Sequence, residues 1–126
     1  MHKSRLGVIV IDCEGDDIDS AEAFWSEALG RPAQRSDNPQ HQNYVKLDGS
    51  DGDVGILLQK VDHPSRVHID IETDDIEAEV QRLEKLGARR VKKLPRWWVM
   101  EAPSGHRFCV VQPQRSSFDE DANRWD

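Results

Sequence analysis

Apolar and polar residues alternate most cleanly over Val67–Ile71, where Val67, Ile69 and Ile71 interleave with His68, Asp70 and Glu72. Period two marks a strand with one apolar and one polar face. A second β-branched run, Val8–Ile11, reads the same way. After each run the period lengthens. Ile18, Ala21, Trp25, Ala28 and Leu29 form one helical stripe, and Ile76, Val80, Leu83 and Leu86 form another. Asp19 with Glu22, and Asp74 with Glu77, have N-cap and N3 spacing. Gly30 and Gly87 stand where helices end.

The likeness of the two stretches is literal. Ile11–Ser20 and Ile69–Ala78, 58 residues apart (69 − 11), share six of ten residues: Ile, Asp, Glu, Asp, Asp and Ile. A weaker echo pairs Gly52–Gln59 with Gly105–Gln112 at a shift of 53. Three further strands follow each helix. In the first half they are Ala33–Arg35, Tyr44–Leu47 and Val54–Gln59; in the second, Arg89–Lys92, Trp97–Glu101 and Arg107–Val111. Gly49-Ser50-Asp51-Gly52 and Pro103-Ser104-Gly105 supply hairpin turns. Ser36–Gln42 reads as a polar loop, and His63-Pro64-Ser65 as a linker. The pattern predicts an α+β chain of two tandem βαβββ modules, about 6–62 and 66–113, within a domain spanning 1–115. An acidic tail follows at 116–126, partly disordered, with Phe118 and Trp125 as its anchors.

Composition narrows the function classes. The 126 residues suit one domain, and a net charge of −7 argues against a nucleic-acid partner. That charge fits solubility or a cationic ligand. No apolar run approaches the roughly 18 residues of a membrane span, and Leu6–Ile11 is too short for a signal-peptide core. Cys13 and Cys109 lack metal-type spacing and read as reduced thiols of a cytoplasmic protein.

Phe24-Trp25 followed by Ala28-Leu29-Gly30, Arg66-Val67-His68-Ile69-Asp70, Arg82–Ala88 and Pro103–Cys109 together resemble the glyoxalase-like subgroup of the glyoxalase/bleomycin-resistance (vicinal oxygen chelate) superfamily. The resemblance covers about residues 6–113, with Ala102-Pro103 replacing the family's Asp-Pro. It implies curved mixed sheets around a shared cavity, a small-molecule ligand and a homodimer. His68 and Asp70 would then face the cavity, matched by Val10 and Asp12 in the first copy. The family's metal ligands, carried over residue by residue, fall on Val10, Ile56, His68 and Cys109. Valine and isoleucine offer no donor, which leaves a divalent ion short of three protein ligands. Asp12, Asp70 or Gln59 would help only with a change of register. The expectation is therefore a small-molecule-binding protein lacking the family metal centre, its ligand contacts drawn from Val10, Asp12, Ile56, His68, Trp98 and Cys109. Two alternatives stay open: a divalent-metal-dependent lyase, isomerase or dioxygenase, and a metal-free acid/base enzyme using His68 and Asp70. A Cys109–His68 thiolate pair is set against a plain buried cysteine. The Asp16-Asp17 and Asp74-Asp75 pairs read as helix caps.

Overall fold

The computed structural model describes residues 1–49, 53–114 and 117–126. The expected turn at 49–52 and the domain–tail junction at 115–116 therefore lie largely outside the described residues. The chain forms two compact units: Val8–Val67, and Met1–Gly7 together with His68–Asp126.

Strand β1 (His2–Glu14) runs through both units and is far longer than the β-branched run that announced it. In the first unit it is followed by α1 (Asp19–Leu29), β2 (Ala33–Gln34), β3 (Tyr44–Leu47) and β4 (Gly55–Val61). Parallel pairing of β1 with β4 sets Val10 beside Leu57 and Asp12 beside Gln59. The pairings β3–β4 and β2–β3 are antiparallel, so this sheet is mixed. Ile18, Val45, Leu47 and Leu58 are buried as its core, with Ile11, Cys13, Ala21, Trp25 and Ile56 packed against them. Each such fully buried aliphatic side chain contributes about 1.5–3 kcal/mol. The polar 36–42 segment carries a short turn of 3-10 helix, Pro39–His41, capped by the Asn38 side chain.

In the second unit β5 (Arg66–Thr73) leads through α2 (Ile76–Lys85) to β6 (Arg89–Lys93), β7 (Trp98–Glu101) and β8 (Arg107–Val111). The pairing repeats: β5 lies parallel to β8, β7 antiparallel to β8, and β6 antiparallel to β7. Val80, Leu83, Met100, Phe108 and Val110 form the core, joined by Ile71, Ile76 and Trp98.

The caps depart from expectation. Asp75, not Asp74, caps α2 by accepting from Ala78 N at 3.0 Å, while Asp74 Oδ1 accepts from Lys3 N. Ile18 holds the cap position of α1 with no side-chain bond, and Asp19 and Glu22 instead both grip Arg35. Gly30 ends α1 at φ 65°, a left-handed conformation that only glycine adopts without strain. Within the described residues 117–126 the tail also carries regular structure. Phe118 is buried on α3 (Phe118–Asp121), and β9 (Asn123–Trp125) pairs with His2–Ser4. Trp125 donates to Ser4 Oγ and lies 3.9 Å beneath the Arg82 guanidinium.

Candidate functional site

Register decides which side chains share a face. In the second unit Asp70 sits beside Cys109 across β5–β8, and Val99 sits beside Cys109 across β7–β8. Their neighbours Ile71, Phe108, Val110 and Met100 pack toward α2. Residues of the other parity (His68, Asp70, Val99, Cys109) therefore occupy the opposite face. His68 Nε2 lies 3.5 Å from Asp70 Oδ1, with both side chains largely but not fully buried. Asp70 Oδ1 is itself buried and accepts no hydrogen bond from any described residue. One ligating atom from each of His68, Asp70 and Cys109 lies within 4.8 Å of the others.

The next carboxylate along this face is fully engaged. Glu72 is buried, accepts from Arg5 Nε at 3.2 Å and from Gln114 N at 2.7 Å, and presses so closely on Gly7 that a side chain there would overlap it. Farther out, Glu101 is bound first by Arg89 and then by Arg107, which together hold its carboxyl below the usual range.

The first unit presents the corresponding face with different chemistry. Val10 and Asp12 are buried there, and register adds Leu57, Gln59 and Tyr44, with Gln59 Nε2 donating to the Tyr44 hydroxyl. Asp12 Oδ2 lies 3.7 Å from Arg66 Nε. Cys13 falls on the helix side. Burial pushes its thiol above 9.0 and the charge of Asp12 adds to that, against a partial lowering by a backbone hydrogen bond at Gln59.

Two expected placements need correction. Ile56 packs with the α1-side core and does not share the face of Val10 and Asp12. The weak echo at a shift of 53 matched it to Cys109, but the pairings Asp12–Gln59 and Asp70–Cys109 make Gln59 the counterpart (109 − 59 = 50). Trp98 stands beside Val110 on the α2 side, where Arg90 and Lys93 cover its ring. Its place opposite the helix falls to Val99. Sequence reasoning missed Leu57 and Tyr44 altogether and admitted Asp70 as a donor only with shifted register; Asp70 reaches the cluster without any shift. The four-position family ligand set does not fit this chain, since Val10 has no donor and Ile56 faces the core.

The glyoxalase-like domain family matches residues 8–111. No curated protein matches the sequence. Among solved structures, methylmalonyl-CoA epimerase from Mycobacterium tuberculosis superposes with TM-score 0.61 at 16% identity, covering 87% of this chain and 88% of that one. The Streptomyces coelicolor methylmalonyl-CoA epimerase, solved with 2-nitronate-propionyl-CoA, gives 0.60 at 19%, covering 88% and 98%. A glyoxalase/bleomycin resistance protein/dioxygenase superfamily member from Vibrio splendidus 12B01 gives 0.52 at 22%, covering 82% and 97%. Identities this low speak to the fold alone. The match over most of its length, on two βαβββ units, makes this chain a member of the glyoxalase-like domain family.

Proposed function

We propose that the chain binds a small molecule on the strand face of the second unit, with His68 and Asp70 as its polar contacts. The observation that carries this reading is the largely buried imidazole–carboxylate pair at 3.5 Å, on the face turned away from α2. Val99 and Cys109 give that face a less polar surround, as ligand sites commonly have. The net charge of −7 is compatible with a cationic ligand. The two free cysteines suit a reducing, cytoplasmic setting, and in the same reading the protein works as a homodimer. A second reading is favoured by the same pair: His68 takes and returns a proton while Asp70 orients its ring, the chemistry of an isomerase or lyase without a metal.

A thermal-shift panel of cationic aromatic compounds and small carbonyl compounds tests the binding reading. A hit is expected to raise the melting temperature of the wild-type chain and to lose at least about tenfold in affinity in His68→Ala, about 1.4 kcal/mol. Hits that bind His68→Ala as tightly as wild type would refute it.

A further inference from the structure

We infer that the tip of the β6–β7 hairpin is a docking surface for an acidic segment of a partner protein, with Lys92, Lys93 and Arg96 as its cations. The stretch 85–100 holds six lysine and arginine residues and no aspartate or glutamate. The rest of the chain has 11 cations against 24 acids, a formal charge of −13 (11 − 24). A patch of one sign on a molecule of the other steers a complementary partner to one place.

The fold itself engages part of this charge. Arg89 Nε donates to Glu101 Oε2 at 2.8 Å, and Arg90 Nη2 donates to Glu77 at 2.6 Å and to Glu84 at 3.0 Å. Lys85 closes α2. The other three cations belong to the hairpin tip and are exposed. Among the described residues Lys92 and Arg96 make no ion pair. Lys93 donates to the Leu94 carbonyl at 2.9 Å, with its charge near Glu77 and the Trp98 ring. Register spreads them around the tip. Lys92 is opposite Val99 and Lys93 opposite Trp98, so the two leave the hairpin on opposite faces. Arg96 stands in the turn that Leu94 N closes onto the Trp97 carbonyl at 2.9 Å. Pro95 is exposed and Trp97 half-buried in the same turn. Cations around an apolar tip fit a run of carboxylates interrupted by an apolar side chain.

Protection of an open strand edge does not account for the pattern. Lysines on such an edge discourage strand pairing, and β6 pairs with β7 alone among the described residues. That reason covers the strand but not Arg96 in the turn. The first unit also builds its matching connection with its arginines neutralised. Between α1 and β3 it has Arg31, 3.9 Å from Asp53, and Arg35, 2.6 Å from Asp19 and 2.7 Å from Glu22. A protein segment fits better than a nucleic acid or a lipid surface. Either of those presents extended negative charge that the remaining −13 would also meet, whereas a short segment meets the hairpin alone. Nothing here is drawn from His68 or Asp70, so the inference stands or falls apart from the proposed ligand site.

The test is fluorescence anisotropy of a short labelled peptide of alternating Glu and Asp with one central Leu, titrated with the full chain. Saturable binding is expected at about 50 mM salt, weakening as salt rises toward about 0.3 M. Lys92→Glu/Arg96→Glu should weaken it by more than about tenfold. Lys46→Glu/Arg124→Glu, an equal change of charge at two other exposed positions, should weaken it by less than about threefold, with circular dichroism confirming both folds. Absence of saturable binding, or equal losses in the two variants, would overturn the inference. So would tighter binding of a single-stranded DNA of the same charge, or of phosphatidylserine vesicles, than of the peptide. Salt-sensitive self-association of the wild-type chain in sedimentation velocity, lost in Lys92→Glu/Arg96→Glu, would assign the surface to a second copy and overturn the partner as stated.

Discussion

The two units are the same device built twice, and they differ where chemistry would be. Each sets a first strand parallel to a last one and packs a helix on one side. On the other side the first unit offers Val10, Asp12, Leu57 and Gln59, and the second offers His68, Asp70 and Cys109. Even the shared aspartate behaves differently. Asp12 is buried near Arg66, while Asp70 has a histidine and a cysteine for neighbours. A duplicated scaffold thus keeps its fold through the helix-facing positions, and a few residues of opposite parity decide which side chains the other face offers.

The sharpest way to break the likeness is through α2. Glu79 occupies the position of Ala21 in the first copy (79 − 58 = 21), where alanine merely packs on the core. Glu79 is fully buried and is bound by Arg82 through both oxygens and by His2 at 2.8 Å. Glu79→Ala strips Arg82 and His2 of their partner and should cost about 3–5 kcal/mol in urea unfolding. The same residue sets a pH signature. Burial pushes its carboxyl up, but bonds from Arg82, His2 and Ser4 together outweigh that and hold it below its ordinary 4.5. A depressed folded value means the contribution is complete above about pH 4.5 and is lost as pH falls through that lower value. Urea midpoints measured from pH 7 down to pH 3 should therefore fall less steeply in Glu79→Ala than in wild type.

A smaller effect separates the helix starts. Asp75 caps α2 with its side chain, whereas the N-cap of α1 is Ile18, which makes no such bond. Asp75→Ala should cost about 1 kcal/mol in the same assay, while the equivalent Asp17→Ala should cost a few tenths.

Much of this was legible in the chain. The clean alternation of Val67–Glu72 gave the faces of β5 correctly, because period two leaves no freedom once the apolar side is assigned. The repeat likewise paired Val10 with His68. Each stands two residues before an aspartate whose parallel neighbour is known, Gln59 in one case and Cys109 in the other. Ile56 was misplaced because a chance likeness of glycine and glutamine fixed the echo, whereas strand register is set by pairing that spacing alone does not encode. Trp98 was misread because two adjacent tryptophans carry no parity signal; pairing with Val110 supplies it. The regular structure of the tail was invisible for another reason. Its contacts, Trp125 with Ser4 and Arg82 and Phe118 with Arg5, join residues far apart in sequence.

The claim that the working face belongs to the second unit is tested most directly by backbone-amide NMR spectra recorded as a thermal-shift hit is titrated in. Shift changes concentrated on His68–Ile71 and Phe108–Val110 are expected. Changes concentrated on Ile9–Asp12 and Leu57–Gln59, with the His68, Asp70 and Cys109 amides unmoved, would contradict the account.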